Sequence, residues 1–434
     1  MTVASEIRRR LGPAPQSSDW PLVSMVVLNR NGADLLRCLL AGLVERTDYP
    51  CLELIVVDNA SADDSVDFLR AMQTSFPIRI IANAHNESFS DGCNQGAEIA
   101  TGELLLFVNN DVEPLEPGWL RELVACLTGA EAGVATATLM PPIDAEASTL
   151  PPVQTQRLRL RAEGSGLVLD DPSGRRDLFG EGFGRDVELP LGVAACMLVR
   201  SDLFHVVGGF PRGYFYGFED FDLSIAVRAA GMSVIWSGRS VLVHRTSVTL
   251  RKLTGGGDGF DTSGNVRLLF ERWGPRVWRE YELDRLSNRD LWAAPHPDTP
   301  ANASSREEAW MLSFCLKADR DLAEADEARA ALGALSEELA RRGHRHRILL
   351  GESERDLSGF LYDVAVHLRG ASRALLAPSQ LNVLWDAGPA CSPSVLESTG
   401  YDLAISVDRD RAGELVDAVL ERAHRLGLPR RVEG

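Results

Sequence analysis

Hydrophobic and polar positions follow one another in blocks along the first 250 residues. Short apolar runs bounded by polar turns predict buried strands at residues 23–28, 54–57, 79–82 and 104–108. Apolar residues between these runs recur at helical spacing, as in residues 34–43, where Asp34 is expected to cap the helix. Strand and helix alternate four times, which predicts a mostly parallel sheet with right-handed crossovers. The predicted fold class is therefore α/β.

The pattern weakens and then resumes along the rest of the chain. Residues 141–190 are rich in Pro, Gly and charge, which predicts a long and partly ordered excursion. Further strands are predicted at 134–139, 192–199, 233–236 and 241–243, and helices at 119–127, 204–210, 219–230 and 266–273. A second series of strands is predicted at 346–350, 364–368, 381–385 and 403–407, with helices at 322–342, from Ser392-Pro393 and at 412–425. We predict a tail (1–20), a first domain (21–287), a polar linker (288–310) and a smaller α/β domain (311–434).

Composition narrows the classes of function. The chain has 434 residues and a net charge of -17, which argues against a nucleic-acid-binding protein. Its 7 cysteines include no CxxC pair, which favours reduced thiols over a disulfide framework or a zinc site. Neither a signal peptide nor an apolar stretch of about 20 residues is found, so a cytoplasmic location is expected. Peripheral contact with a membrane stays open.

Four acidic or imidazole positions fall at predicted strand ends or helix starts. Asp58 follows the second strand, Asp111 follows the strand 104–108, Glu219-Asp220 begin a helix, and His244 ends a late strand. Each has an ordinary structural explanation, such as a turn, a helix start or a packed core histidine. The carboxyl ends of parallel strands share one edge, however, where open α/β sheets bind ligands. Oxygen ligands with one imidazole suit Mg²⁺ or Mn²⁺.

The motifs around these positions identify a family resemblance. They are VVLNRNG, VVDNASAD, HNESFSDGCNQG, VNNDVE and GYFYGFEDFDLSIAVRAAG, followed by His244. In this order they resemble the inverting family-2 glycosyltransferases, close to the rhamnosyltransferase-like branch, over about residues 21–275. The resemblance implies a GT-A fold, a nucleotide-diphosphate sugar donor and a divalent metal, Mg²⁺ or Mn²⁺. The acceptor is unknown and could be a cell-surface glycan, a natural product or a peptide.

The resemblance also implies roles for individual residues. Asp220 corresponds to the general base, and both its helix N-terminus and a nearby metal are expected to keep it ionised. Asp111 corresponds to the main metal ligand, with His244 and Asn109 as further metal-side residues. Asn109 stands where the family has the first Asp of its Asp-x-Asp, which is a departure from the pattern. The residues expected on the donor side are Asn29, Asp58, Asn86, Asn94, Asn110 and Glu219.

Two other functions remain open at this stage. A sugar nucleotidyltransferase shares the sheet type, but its Gly-rich, Arg-containing loop is replaced here by Asn29-Arg30-Asn31-Gly32. A non-catalytic sugar-nucleotide-binding or assembly protein is favoured by Asn109. The second domain weakly resembles one Rossmann-like half of GT-B glycosyltransferases, and we expect it to serve as a scaffold or as a contact between copies of the chain.

Overall fold

The computed structural model divides the chain into two compact units. One consists of Met1–Arg159 with Leu169–Asn265, and the other of Leu160–Val168 with Val266–Gly434. The division falls at residue 265, whereas the sequence predicted a domain end at 287. The described residues are 3–128, 132–143, 153–154, 159–163, 166–170, 178–179, 183–245, 263–287, 312–318, 326–350, 362–368, 380–386, 401–406, 411–426 and 428. No helix among them is both long and apolar enough to cross a membrane.

The first part of the chain contains eleven described strands and seven described helices. The strands are β1 (Val23–Asn29), β2 (Leu52–Asn59), β3 (Ile78–Asn83), β4 (Leu104–Val108), β5 (Val112–Pro114), β6 (Ala132–Met140), β7 (Arg159–Glu163), β8 (Gly166–Asp170), β9 (Asp186–Leu189), β10 (Cys196–Arg200) and β11 (Ser233–His244). The helices are α1 (Val3–Leu11), α2 (Ala33–Glu45), α3 (Ser65–Ala71), α4 (Phe89–Ile99), α5 (Trp119–Thr128), α6 (Ser201–Val206) and α7 (Glu219–Ala229).

A large sheet of nine strands organises the first unit. Its order is β3-β2-β1-β4-β10-β6-β11-β5, with β9 paired to β11. Strands β1 to β4 pair in parallel, and β6 pairs in parallel with β11. Strand β10 is antiparallel to both β4 and β6, so β6 and β11 run in the same direction as β4. The predicted α/β class with a mostly parallel sheet is confirmed, and the carboxyl ends of these strands meet at one edge.

Helices cover both faces of this sheet because each strand has apolar side chains on both sides. On one face, Val23, Met25 and Val27 of β1 belong to the core that includes residues of α2 and α5. On the other face, Val26 belongs to the core with residues of α4, α6 and α7. Helix α4 comes unusually close to β1 at Gly96, since a Cβ there would lie 2.4 Å from Cγ1 of Val26. Both faces are thus sealed, and only the strand ends are left for a site.

Several predicted boundaries were wrong, for identifiable reasons. Strand β10 begins at Cys196 and not at 192, because the backbone N–H groups of Gly192 and Ala194 donate to side chains of α7 and not to a neighbouring strand. The strands predicted at 233–236 and 241–243 are one strand, β11, interrupted by a register shift between Ser237 and Val241. The short edge strands β5 and β9 were not predicted, since neither has a clear apolar alternation.

Two helices also differ from their predictions. Asp34 does not cap α2, because the N-cap is Gly32 and the N–H of Ala33 donates to Oδ2 of Asp63, 3.0 Å away. The predicted basic helix of the N-terminal segment is present as α1, but it is packed on the first unit. Ile7 is fully buried, and Arg8 forms ion pairs with Glu116 and Glu122. Burial raises the pKa of Glu116, which Arg8 partly offsets.

The second unit contains a sheet of five parallel strands in the order β13-β12-β14-β15-β16. The strands are β12 (Phe314–Ala318), β13 (His346–Leu350), β14 (Val364–Leu368), β15 (Leu381–Asp386) and β16 (Leu403–Ser406), and the helices are α8 (Ser263–Ser287), α9 (Asp326–Arg341) and α10 (Ala412–Arg425). A smaller second α/β domain is thus confirmed, although β12 was missed and α8 runs beyond its predicted end at 273. The predicted linker, the Gly-rich loop 255–259 and the helix start at Ser392 lie outside the described residues.

Candidate active site

A chain of side-chain hydrogen bonds crosses the sheet where the strand order reverses, between β1 and β4. Asn29 ends β1 and pairs in register with Asp58 of β2. Nδ2 of Asn29 donates to Oδ1 of Asp58 at 2.9 Å, and Nδ2 of Asn110 donates to Oδ1 of Asn29 at 2.9 Å. All three residues are buried. The structure therefore brings three of the predicted donor-side residues together at the position where doubly wound sheets bind ligands.

Local turns hold this chain in place. The N–H and the hydroxyl of Ser61 donate to Asp58 at 2.9 and 2.6 Å. Gly32 packs directly against the amides, since a Cβ there would lie 2.5 Å from both Nδ2 of Asn110 and Oδ1 of Asn29. The carboxylate of Asp58 thus accepts three hydrogen bonds, which hold the ends of β1 and β2 in position. Its carboxylate fixes the position of Asn29 whether or not it also touches a ligand.

Sequence reasoning missed a second pair of amides at the same edge. Asn59 ends β2 and Asn83 ends β3, and Nδ2 of Asn83 donates to Oδ1 of Asn59 at 2.9 Å and to Oε1 of Gln95 at 2.8 Å. Nδ2 of Asn59 donates to the carbonyl of Glu87 at 3.0 Å. The signal available in the sequence was the repeated occurrence of Asn at successive strand ends.

Asp111 and His244 meet at the other side of the site. Strand β5 pairs with β11 so that His244 lies opposite Val112, and the N–H of Arg245 donates to the carbonyl of Asp111 at 2.9 Å. This pairing places Nε2 of His244 3.3 Å from Oδ1 of Asp111. That oxygen is buried and receives no hydrogen bond from any described residue. Two metal-side residues predicted from distant parts of the chain are therefore neighbours.

The other ring nitrogen of His244 defines what this pair can hold. Nδ1 lies 3.0 Å from Oε1 of Gln154, so the tautomer with a hydrogen on Nδ1 can donate to this oxygen. In that tautomer Nε2 presents a lone pair toward the carboxylate of Asp111. Two acceptors this close require a proton or a cation between them. The donor set of one imidazole and one carboxylate suits a divalent metal.

Asn109 is the third residue predicted on the metal side. The backbone of Asn109 is fixed, because its N–H donates to the carbonyl of Ala195 at 3.0 Å and its carbonyl accepts from Val112. A role for its side chain stays a prediction. Within the described parts of the chain, no group of three or more His, Cys, Asp or Glu side chains could hold a metal ion. Mg²⁺ and Mn²⁺ sites often use one or two protein ligands and complete the shell with substrate phosphate.

Glu219 and Asp220 form a buried acidic pair at the start of α7. The turn before the helix is tight, with Phe218 at a φ of 76° in the left-handed region. Oδ2 of Asp220 accepts from the N–H of Ala194 at 3.1 Å, and Oδ1 accepts from the N–H of Phe221 at 3.0 Å. Oε2 of Glu219 is buried and accepts no hydrogen bond from the described residues.

The electrostatics of the pair differ from the sequence-based expectation. Burial raises the pKa of Asp220 despite its two backbone donors. Burial and the neighbouring charge of Asp220 raise the pKa of Glu219 further. Desolvation thus outweighs the favourable backbone donors in setting the pKa of Asp220, while the expectation that the helix N-terminus and a nearby metal together keep it ionised at neutral pH stays a prediction. Asp222 is also buried, but it accepts the hydroxyl of Tyr214 at 2.9 Å and serves the packing of the helix.

One short stretch links the acidic pair to the metal-side residues. Ala194 donates its N–H to Asp220, and the adjacent Ala195 accepts the N–H of Asn109 through its carbonyl. Asp220 and the Asn109-Asn110-Asp111 triplet therefore flank the same two strand ends, those of β4 and β10. The acidic pair and the triplet are thus both anchored to residues 194 and 195.

Comparison with known proteins identifies one part of the first unit. Residues 23–205 match the sequence profile of the family described as Glycosyl transferase family 2. The chain contains a glycosyl transferase family 2 domain. The matched range includes Asn29, Asp58 and the triplet at 109–111, but it ends before α7 and β11. The rhamnosyltransferase-like branch and the GT-B-like second domain stay predictions.

The relatives that this chain matches are larger proteins. It is 30% identical to the uncharacterized protein y4gI of Sinorhizobium fredii over 57% of this chain and 28% of that one. It is 27% identical to the O-antigen biosynthesis protein RfbC of Myxococcus xanthus over 53% of this chain and 18% of that one. The chain thus matches less than a third of the length of these relatives.

Solved structures with a detectable likeness include two glycosyltransferases. One is GalNAc-T7 with UDP, GalNAc and Mn²⁺, with 15% identity, a TM-score of 0.45 and coverage of 68% of this chain and 55% of that one. The other is the mannosyltransferase PcManGT of Pyrobaculum calidifontis with GDP-Man and Mn²⁺, with 17% identity, a TM-score of 0.40 and coverage of 67% and 83%. Both likenesses are too weak to assign a ligand to this chain.

Two predicted donor-side residues of the family 2 domain have other surroundings. Asn94 binds the backbone of Phe210 through both polar atoms, with its Nδ2 donating to the carbonyl at 2.8 Å and its Oδ1 accepting from the N–H at 3.0 Å. It therefore anchors the loop before α7 and has little capacity left for a donor. Asn86 is exposed in the loop between β3 and α4 and does not join the amide chain.

Proposed function

We propose that the family 2 domain transfers a sugar, with inversion, from a nucleotide-diphosphate sugar to an acceptor hydroxyl, and that transfer depends on a divalent metal. The observation that supports this proposal is that Asp220 and the Asn109-Asn110-Asp111 triplet are anchored to adjacent residues, Ala194 and Ala195, at the ends of β4 and β10. Inversion by a single displacement requires a base on the acceptor side and charge stabilisation at the leaving diphosphate.

Asp111 and His244 would hold the metal, with Asn109 beside them. The orphaned oxygen of Asp111 facing Nε2 of His244 fits a divalent ion. When bound, such an ion offsets the negative charge that develops on the departing diphosphate. The strand order reverses between β1 and β4, and the hydrogen-bonded side chains there are those of Asn29, Asp58 and Asn110. Their position supports contacts with the nucleoside part of the donor.

Asp220 would act as the base. Its carboxylate takes the proton of the acceptor hydroxyl while the acceptor oxygen bonds to the anomeric carbon and the diphosphate leaves on the opposite face. With its pKa raised to about 6, the carboxylate is still mostly ionised at neutral pH and takes up the acceptor proton more readily. Glu219, with one buried oxygen unpartnered among the described residues, would face the donor sugar.

The proposal also covers the class of acceptor, the location of the protein and the role of its smaller domain. The relative from Myxococcus xanthus is named for O-antigen biosynthesis, which supports a saccharide acceptor. We place the protein in the cytoplasm, where nucleotide sugars are made, with room for peripheral contact with a membrane. The smaller α/β domain would act as a scaffold or as a contact between copies of the chain.

A metal titration tests the proposal. The full chain is incubated with UDP-, GDP- and dTDP-sugars, with Mn²⁺, with Mg²⁺ or with a chelator, and release of nucleoside diphosphate is followed together with thermal stability. We expect one donor class to raise the melting temperature and to be hydrolysed slowly, with both effects lost in the chelator. Stabilisation without release of diphosphate under any condition would instead favour a non-catalytic binding protein.

A further inference from the structure

Two adjacent aromatic side chains are exposed directly before the acidic pair. Phe215 is 49% exposed and Tyr216 is 38% exposed. The other exposed large hydrophobic side chains of the described residues occur singly, at Val44, Val206, Ile348 and Leu426. Single exposed apolar residues are normal in soluble proteins, whereas a pair of neighbouring aromatic rings beside a site indicates a contact surface.

The backbone of this aromatic pair is held firmly. The N–H of Phe89 donates to the carbonyl of Phe215 at 3.1 Å. Nδ2 of Asn265 donates to the carbonyls of Tyr216 and Gly217 at 2.9 and 3.0 Å. The ring of Phe89 packs edge-on against the ring of Tyr216, with 6.3 Å between centroids. These hydrogen bonds hold the loop that carries the two rings, so the fold itself keeps the rings exposed.

Tyr216 connects this surface to the site. Its ring reaches solvent, while Glu219, Asp111 and Asp220 interact electrostatically with its hydroxyl and, after burial, help to raise its pKa to about 12. Its hydroxyl can serve there as a hydrogen-bond donor or acceptor. It interacts electrostatically with the three carboxylates to which the proposed function gives a role.

We propose that Phe215 and Tyr216 form the acceptor subsite and that the acceptor presents a pyranose ring there. This inference rests on the proposed glycosyltransferase function. A pyranose has a face of C–H groups that matches an aromatic ring and an edge of hydroxyls that matches carboxylates and a phenol. Phe215 contacts the C–H face, and the Tyr216 hydroxyl orients the acceptor hydroxyl toward Asp220. The bond formed is acceptor oxygen to anomeric carbon, the bond broken is anomeric carbon to diphosphate oxygen, and the proton goes to Asp220.

The chemistry of the loop argues against two other acceptors. A lipid chain needs a continuous apolar groove, but here two rings stand beside three carboxylates. A peptide backbone would be recognised by paired N–H and C=O groups along an exposed strand edge. Two aromatic rings beside carboxylates instead match the alternating apolar and hydroxylated surface of a sugar ring.

The test uses the full chain with Mn²⁺ and its donor sugar, and methyl α- and β-pyranosides of common hexoses and 6-deoxyhexoses as acceptor probes. Phe215→Leu keeps apolar volume but removes the ring, Phe215→Trp keeps an aromatic face, and Tyr216→Phe removes only the hydroxyl. Val206→Ala, at the end of α6, removes an exposed apolar side chain elsewhere. Initial rates give kcat and the acceptor KM, and calorimetry gives donor affinity.

We expect Phe215→Leu to raise the acceptor KM roughly threefold to tenfold, the range typical of one aromatic contact, with donor affinity retained. Phe215→Trp should restore the KM, and Tyr216→Phe should lower kcat more than it changes KM. Val206→Ala should match the wild type. Equal KM values in Phe215→Leu and wild type, or transfer to a fatty alcohol or a Ser/Thr peptide in preference to every pyranoside, would overturn the inference. Failure of the wild type to bind or hydrolyse any donor would instead refute the proposed function.

Discussion

Replacing Asp220 by Asn removes the proposed base while changing few atoms. The substitution keeps one acceptor oxygen but converts the other into an NH₂ donor. In the structure each oxygen of Asp220 receives a backbone N–H, from Ala194 and from Phe221. The new NH₂ group must therefore face one of these donors, and one buried N–H loses its partner.

Both consequences have a defined size. An unpartnered buried N–H costs about 1–3 kcal/mol of unfolding free energy, part of which is offset because a buried charge next to Glu219 is also removed. A domain with the usual stability of about 5–15 kcal/mol stays folded after such a loss. Loss of the base should lower the rate of transfer by roughly 10²- to 10⁴-fold. That factor corresponds to about 3–5 kcal/mol of transition-state stabilisation.

The assay needs a control that carries the same structural defect. Ser224→Ala provides it, because Oγ of Ser224 accepts the N–H of Gly192 at 3.0 Å and donates to the backbone carbonyl of Asp220 at 2.7 Å. This variant leaves a buried N–H of the same loop without a partner but keeps both carboxylates. Single-turnover transfer, urea unfolding and donor calorimetry are measured for both variants.

We expect Asp220→Asn to lose transfer at nearly unchanged donor affinity, and Ser224→Ala to lose stability but to keep most of its activity. Near-wild-type turnover in Asp220→Asn with intact donor binding would remove Asp220 from the mechanism and would make Glu219 the next candidate. A similar loss of activity in the two variants would show that the loop position matters and the carboxylate does not.

Four further outcomes follow from the structure. Asp111→Asn should abolish Mn²⁺-dependent donor binding in calorimetry, while Asn109→Asp should keep or tighten it; unchanged affinity in Asp111→Asn would contradict the metal assignment. Gly32→Ala should weaken donor binding by separating Asn110 from Asn29, and an unaffected affinity would show that the amide chain is not part of the donor site. Because the pKa values of Glu219 and Asp220 are raised, the folded state holds their protons more tightly than the unfolded state does. Without metal, the free energy of unfolding should therefore fall as pH rises from the ordinary carboxyl range through these raised values. Glu219→Gln should flatten this pH dependence in urea unfolding, and an identical slope would refute the explanation. A chain ending at residue 265 should still bind the donor, since each proposed ligand precedes that residue; loss of binding by a well-folded truncation would mean that the site is placed wrongly.

The sequence alone determined much of the fold and of the donor side. The apolar runs that became β1, β2, β3 and β4 were identified within two residues of their ends, because a strand buried on both faces needs a nearly continuous apolar run. The polar residues Asn29, Asp58 and Asp111 could be placed at strand ends for the same reason. The strand–helix alternation fixed the parallel pairing of these strands before any coordinate was known.

Only the tertiary structure decided which distant residues meet. The 3.3 Å contact between Asp111 and His244 depends on the antiparallel pairing of β5 with β11, and β5 is too short to leave a pattern. The contact of Asp220 with Ala194 replaces a strand hydrogen bond that the apolar sequence around 192–195 had suggested. The hydrophobic pattern of a segment indicates which side of the helix or strand is buried, but it does not indicate which other element packs or pairs with it.

The protonation of the acidic pair shows the same limit most clearly. The sequence places Glu219 and Asp220 in the first turn of a helix, where local electrostatics alone would lower their pKa values. Folding buries both groups under the loop before β10 and beside each other, and the desolvation they undergo there reverses the sign of the shift. Burial depends on the packing of segments from across the chain, so this property of the site belongs to the three-dimensional structure and not to the helix that carries it.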